Sequence, residues 1–174
     1  MNDRGGLARR IFDTAHLTGA FTLRSGSLST EYFDKYLFEA DPDLLRAIAE
    51  MLAPMVPAGT EALAGLELGG VPLAVMVSQV TGIPALFVRK EAKTYGTCRL
   101  AEGGELEGRR ITVVEDVVTS GGQVVTSCGD LRERGGIVEH ALCVIDREAG
   151  GVAALAEIGV ALHPLFTMTE LDGA

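Results

Sequence analysis

The segment VVEDVVTSGG, residues 113–122, decides how this chain folds. An apolar run leads to two adjacent acids, Glu115 and Asp116, then to a turn of hydroxyl residues and glycines, and a helical pattern follows. Glycines let a backbone approach an anion closely, and a helix start offers unpaired N–H groups and a favourable dipole. Acids beside such a phosphate site suit ribose hydroxyls or a hard cation such as Mg²⁺. The segment therefore predicts a strand, a phosphate-binding turn and a helix that together bind a phosphorylated sugar.

The rest of the chain alternates between strand and helix patterns. We predict helices over residues 5–16, 41–55, 71–80, 123–134 and 150–158, and strands over 20–24, 31–38, 62–66, 84–89, 111–115, 137–145 and 160–166. Such alternation implies right-handed crossovers and a parallel sheet, hence an α/β fold. Residues 91–109 form a long polar segment without a period of its own, which is typical of a functional loop. Ligands of such sheets bind at the carboxyl ends of the strands.

Composition excludes several classes of protein. The 174 residues suit a single domain, and 47% hydrophobic residues with a mean hydropathy of +0.25 argue against disorder. The net charge of −9 argues against a nucleic-acid surface. We found no signal-peptide pattern and no apolar run near the roughly 20 residues that span a bilayer, so we expect a cytoplasmic protein without a membrane partner. The three cysteines and three histidines lack the spacing of a disulfide framework or a metal site.

Two further segments lie at predicted strand ends. Arg89, Lys90 and Lys93 open the long loop, where cations can close over a polyphosphate and exclude water, although a charge cluster is often only a solvated face. The glycine turn at Gly69 and Gly70 could hold a diphosphate by its N–H groups or be an ordinary turn.

The chain resembles a known family at these motifs. Residues 113–122 resemble the phosphoribosyl-pyrophosphate (PRPP) motif of the type I phosphoribosyltransferases. The runs RKEAK (89–93), YGT (95–97) and FTLRSG (21–26), with Glu102-Gly103 and Asp146-Arg147, are similar to orotate phosphoribosyltransferases in particular. The resemblance covers residues 21–147. It implies the type I phosphoribosyltransferase fold in one domain, a mostly parallel sheet flanked by helices, with a small N-terminal hood over roughly residues 1–40 and a flexible lid over roughly 91–109.

Four positions depart from the family pattern. Arg24 stands where many members have lysine, and Tyr95 where a histidine is common. Gly69 stands where several members place a PRPP-contacting lysine, and Gly122 where some members carry a hydroxyl.

The resemblance implies a reaction and a set of site residues. PRPP and orotate would give orotidine 5′-monophosphate and pyrophosphate, a step of pyrimidine (UMP) biosynthesis, with Mg²⁺ carried by PRPP near Glu115 and Asp116. Lys93 would be the catalytic lid cation, and Arg147, Thr119, Tyr32 and Phe33 would bind orotate. PRPP would be bound by Arg24, Arg89, Lys90, Lys93, Tyr95, Glu115, Asp116, Val117, Val118, Thr119, Ser120, Gly121, Gly122 and Gln123. Members are homodimers whose lid closes over the neighbouring site, so we expect a homodimer.

Alternatives stay open at this point. Tyr32 and Phe33 are as well explained as core aromatics. Another base could be the acceptor, although purine-specific relatives are not expected to combine this lid with Arg147. A non-catalytic regulator of the same fold that senses PRPP or nucleotides, or binds RNA, could keep the phosphate turn and lose the lid; Lys93 and the net charge weigh against it.

Overall fold

The computed structural model describes residues 3–22, 26–91 and 100–174. Its N-terminal part comprises helix α1 (Arg4–Ala15), strands β1 (His16–Thr22) and β2 (Leu28–Phe33), and helix α2 (Lys35–Ala40). The two strands pair with each other in a separate antiparallel sheet. Both helices begin at an aspartate, since Asp3 and Asp34 accept hydrogen bonds from backbone N–H groups of the first turn.

A six-stranded sheet forms the main body. After helix α3 (Pro42–Leu52) and a 3₁₀ turn (Ala53–Met55), the chain runs through β3 (Ala62–Leu66), α4 (Gly70–Thr81), β4 (Ala85–Val88), β5 (Ala101–Glu102) and β6 (Arg110–Val118). It continues through α5 (Gly122–Glu133), β7 (Ile137–Asp146), α6 (Gly151–Glu157), β8 (Ala161–Thr167) and α7 (Met168–Asp172). The strand order is β5-β4-β3-β6-β7-β8, and every pair is parallel except β4 with β5.

The core has two parts, one on each face of the sheet. Helices α1, α3, α4 and α7 bury Ile11, Ile48, Leu73 and Leu171 in the first part. Helices α5 and α6 cover the second part, where Cys128 lies fully buried. Because β6 is covered on both faces, its side chains alternate between two buried environments. The sheet therefore brings the carboxyl ends of β3, β6 and β7 to one edge.

Most predicted elements agree with the structure, and three interpretations were wrong. Residues 31–38 are not one strand: β2 ends at Phe33 and α2 follows, because Asp34 caps the new helix and Phe38 enters the core. Strand β6 continues to Val118, so Glu115 and Asp116 lie within it and not at its end. The long polar segment is not wholly without structure, since Ala101–Glu102 pairs with β4 as strand β5.

Other boundaries shift by a few residues. Strand β1 begins at His16, four residues before the predicted start, and helix α7 was not predicted. Across the described residues, none of the helices combines the length and the hydropathy that crossing a bilayer requires.

Candidate functional site

The two acids of β6 lie beside the turn that connects β6 to α5. Glu115 lines a cavity of about 340 Å³ together with this turn. Asp116 is fully buried, and Lys35 of α2 places its Nζ 2.6 Å from Asp116 Oδ2. A hydrogen bond joins the side chains of Glu115 and Asp116. The strand thus presents two adjacent carboxyl groups, one lining the cavity and one paired with Lys35.

The turn after β6 forms a cradle suited to a phosphate group. Gly121 adopts a left-handed conformation with φ of +80°, which an L side chain rarely adopts, and it immediately precedes α5. The first N–H groups of α5 have no carbonyl partner within the helix, and the residues that carry them line the cavity. An anion in the cavity would meet these N–H groups and the positive end of the helix dipole. The lining residues are Glu115, Val117, Val118, Thr119, Ser120, Gly121, Gly122, Gln123 and Val124.

Burial and hydrogen bonding together give Glu115, Glu39 and Asp116 different pKa values. Burial, and then the neighbouring Asp116, raises the pKa of Glu115 well above its ordinary value. Burial and Asp116 likewise raise the pKa of Glu39 to about 9. Burial alone would raise the pKa of Asp116, but hydrogen bonds with Glu115 and Lys35 outweigh it, and the pKa is lowered. Asp116 is therefore the ionised member of the cluster, paired with Lys35.

A second cleft lies between the N-terminal strands and the end of β7. It has a volume of about 380 Å³, and Tyr32, Phe33 and Arg147 all line it. The cleft also contains the acids Glu31 and Asp172. Tyr32 is 44% exposed, so it is not a core aromatic, whereas Phe33 is half-buried and packs beside Phe38. Of the four residues predicted to bind orotate, Tyr32, Phe33 and Arg147 therefore share one cleft. The fourth, Thr119, lines the cradle.

A short turn fixes the position of Arg147. Its backbone N–H donates to the Val118 carbonyl at 2.9 Å, which ties it directly to the start of the cradle. The next residue, Glu148, has φ of +57°, uncommon for a residue other than glycine. The Glu148 carboxylate accepts from the Thr169 N–H at 2.9 Å and from Thr169 Oγ1 at 2.6 Å. Helix α7 thereby holds the turn that carries Arg147.

The predicted pyrophosphate residues lie farther along the edge. Arg89 lines a cavity of about 280 Å³ with Glu67, Val71 and Phe87, and its Nε is buried without a hydrogen-bond partner among the described residues. Lys90 is exposed, and its N–H donates to Glu67 Oε2 at 3.1 Å. Arg24, Lys93 and Tyr95 lie outside the described residues.

Sequence reasoning missed four residues of this region. Lys35 and Glu39 were hidden by the mistaken strand; a helix over residues 35–40 would have placed them on one face, four residues apart. Glu148 and Thr169 were missed because their contact joins two distant parts of the chain. Thr167 and Glu170 form a capping box at α7, a local pattern that could have revealed this helix.

The cluster around Asp116 supplies part of a donor set for Mg²⁺. Its carboxylate oxygens are of the type that Mg²⁺ prefers. No group of three His, Cys, Asp or Glu side chains is arranged as a complete metal site within the described part of the chain. The donor set therefore fits a cation that arrives already bound to phosphate oxygens.

Comparisons with known proteins identify the relatives of this chain. No protein-family model matches it. The chain is 54% identical over 168 residues to the orotate phosphoribosyltransferase of Nocardioides sp., covering 97% of this chain and 94% of the relative. It is 45% identical over 155 residues to the orotate phosphoribosyltransferase of Methanocella arvoryzae, covering 89% of each.

Solved structures agree with the sequence comparison. The structure of Mycobacterium tuberculosis orotate phosphoribosyltransferase in complex with PRPP superposes with a TM-score of 0.83 at 26% identity, over 97% of this chain and 98% of that one. The mostly parallel sheet flanked by helices is thus the type I phosphoribosyltransferase fold. By sequence and by fold, the chain belongs to the orotate phosphoribosyltransferase family.

Proposed function

We propose that this protein is an enzyme that transfers the 5-phosphoribosyl group from PRPP to orotate, giving orotidine 5′-monophosphate and pyrophosphate. One observation carries the proposal. The Arg147 N–H bonds to the Val118 carbonyl, so the cleft that contains Arg147 adjoins the phosphate cradle. A base and a phosphoribosyl donor bound in these two places would lie next to each other. The PRPP complex of the M. tuberculosis relative supports PRPP as the donor.

The donor would bind along β6 and its turn. Residues 119–123 would hold the 5′-phosphate through backbone N–H groups and hydroxyls, beside Val117 and Val118. Glu115 and Asp116 would hold the ribose hydroxyls, directly or beside Mg²⁺. The buried Nε of Arg89, which has no hydrogen-bond partner within the described part of the chain, offers a donor for the diphosphate, with Lys90, Arg24 and Tyr95 as further contacts. When bound with PRPP, Mg²⁺ would neutralise charge on the diphosphate that leaves.

The acceptor would bind in the cleft of about 380 Å³. The planar guanidinium of Arg147 suits the orotate carboxylate, because both groups can form two parallel hydrogen bonds. Tyr32 and Phe33 would cover the faces of the base, and Thr119 would reach it from the cradle.

Displacement at the anomeric carbon develops positive charge on the ribose while negative charge leaves on the diphosphate. The site must therefore stabilise the departing diphosphate and exclude water, which would otherwise hydrolyse the donor. We assign stabilisation of the departing diphosphate to the cations that bind it, with Lys93 as the catalytic lid residue. A homodimer in which the lid reaches the neighbouring site would complete this arrangement.

A panel of acceptor bases tests the proposal. The protein is mixed with PRPP and Mg²⁺ and with orotate, uracil or adenine, and consumption of each base is followed. We expect turnover with orotate alone, because only orotate offers a carboxylate to Arg147. Equal use of uracil would show that Arg147 does not select the acceptor by its carboxylate. Turnover of no base would favour a binding protein of the same fold.

A further inference from the structure

Lys35 forms a contact that its place in the sequence does not suggest. Its Nζ lies 2.6 Å from Asp116 Oδ2, and the Asp116 side chain has no exposed surface. The Lys35 side chain itself remains 33% exposed. A residue of the N-terminal part therefore reaches the carboxyl-terminal half of β6 and still contacts solvent at the edge where the donor is expected.

The geometry of α2 determines where Lys35 points. Asp34 caps the helix by accepting the Tyr36 N–H at 3.1 Å, so Lys35 is the first helical residue. Glu39 follows four residues later, on the same face, and is buried. The face that contacts the site therefore carries one cation and one acid.

Gly69 explains why this cation comes from α2. A Cβ at Gly69 would lie 1.7 Å from Asp116 Oδ2 and 2.7 Å from Glu39 Oε1. No side chain fits between the turn before α4 and these two acids while Asp116 keeps this position. Gly69 can contribute only backbone groups, and Asp116 Oδ2 lies close both to Gly69 and to the ammonium of Lys35.

We propose that Lys35 is a diphosphate-binding residue that holds Asp116 until PRPP arrives. The inference rests on the proposed function. PRPP would bring several negative charges to an edge where Asp116 is already ionised, and a cation there would offset the repulsion. The flexible four-carbon stem of lysine can move its ammonium from Asp116 to a diphosphate oxygen near Gly69. The same movement releases Asp116 for the ribose hydroxyls or hydrated Mg²⁺.

The Lys35→Met variant tests this role by equilibrium binding in the presence of Mg²⁺. We expect it to bind PRPP and pyrophosphate about tenfold to a hundredfold more weakly, the loss typical of a charge-assisted hydrogen bond. Binding of ribose 5-phosphate, which lacks the diphosphate, should stay within about twofold, a separation that general damage to the fold would not produce. Arg46→Met removes an exposed cation from the neighbouring helix α3 and should change none of these affinities.

One further comparison makes the outcome decisive. Removing Lys35 leaves a buried carboxylate unpaired and could prevent folding. In that case Lys35→Met is compared on an Asp116→Asn background with Asp116→Asn alone, and the same selective loss for pyrophosphate is expected. Equal loss for pyrophosphate and ribose 5-phosphate, or no loss for either, would overturn the role of Lys35. Failure of the unmodified protein to bind PRPP would instead overturn the proposed function.

Discussion

At the scale of single residues, Arg147 depends on a neighbour that does not face the cleft. Glu148 adopts an uncommon backbone conformation, and two hydrogen bonds from Thr169 hold its carboxylate. Those bonds also lower the pKa of Glu148, so the carboxylate stays ionised and accepts both of them at neutral pH. The backbone position of Arg147 is thus set by α7 as well as by β7.

Thr169→Val removes the hydroxyl donor and keeps the backbone N–H. We expect the KM for orotate to rise by about twofold to fivefold, because the turn that carries Arg147 is then held less firmly, while the affinity for PRPP stays unchanged. Steady-state kinetics with each substrate varied in turn measures both. Thr81→Val is the matched control, because Thr81 donates a similar hydrogen bond to Val77 at the end of α4. Equal effects on both substrates would mean that Thr169 acts on the fold and not on Arg147.

At the scale of elements, the short helix α2 joins the N-terminal part to the acids of β6. Its start depends on the Asp34 carboxylate. Asp34→Ala should lower the free energy of unfolding by about 1 kcal/mol, the usual cost of losing a helix cap. Asp34→Asn keeps a side-chain oxygen and should lose little. Denaturant unfolding distinguishes the two, and equal stability of the alanine variant and the unmodified protein would contradict the capping role.

The same element marks where sequence reasoning reaches its limit. Strands β3, β6 and β7 and helix α5 were predictable, because apolar runs and glycine turns bound each of them. Residues 31–38 are short and rich in aromatics, so their pattern did not distinguish strand from helix. That error concealed Lys35 and Glu39. The meeting of Tyr32, Phe33 and Arg147 followed from the family resemblance, whereas the contact between Lys35 and Asp116 needed the tertiary structure.

At the scale of the whole molecule, a histidine pair on the sheet links stability to pH. His140 Nδ1 lies 3.1 Å from His163 Nε2, across β7 and β8. Burial, and then His140, lowers the pKa of His163. A histidine whose pKa is lowered on folding stabilises the protein above its unfolded pKa, and this contribution is lost as pH falls. Arg110 and Glu139 line the same cavity as His140.

His163→Gln should therefore reduce the sensitivity of the fold to acid. Between about pH 7.5 and about pH 5.5, we expect the Tm of the unmodified protein to fall further than that of the variant. Thermal unfolding at the two pH values measures the difference. Parallel losses in the two proteins would show that the pair does not contribute.

The proposed dimer can be tested by mixing two impaired variants. If each lid closes over the neighbouring site, a Lys93→Ala subunit and an Arg147→Ala subunit together form one site with neither change. We expect the mixture to recover up to about a quarter of the unmodified activity, the share set by random pairing and one intact site in two. No recovery, with exchange of subunits confirmed by light scattering of tagged chains, would place each lid over its own site.

We propose above all that the acids and cradle of β6 bind PRPP while Arg147 selects orotate. Phosphorus NMR of the protein with PRPP, Mg²⁺ and orotate tests it most directly, because donor and both products are observed together. We predict that PRPP disappears only when orotate is present, and that pyrophosphate and orotidine 5′-monophosphate appear in equal amounts. Loss of PRPP without orotate, or pyrophosphate without the nucleotide, would contradict the account.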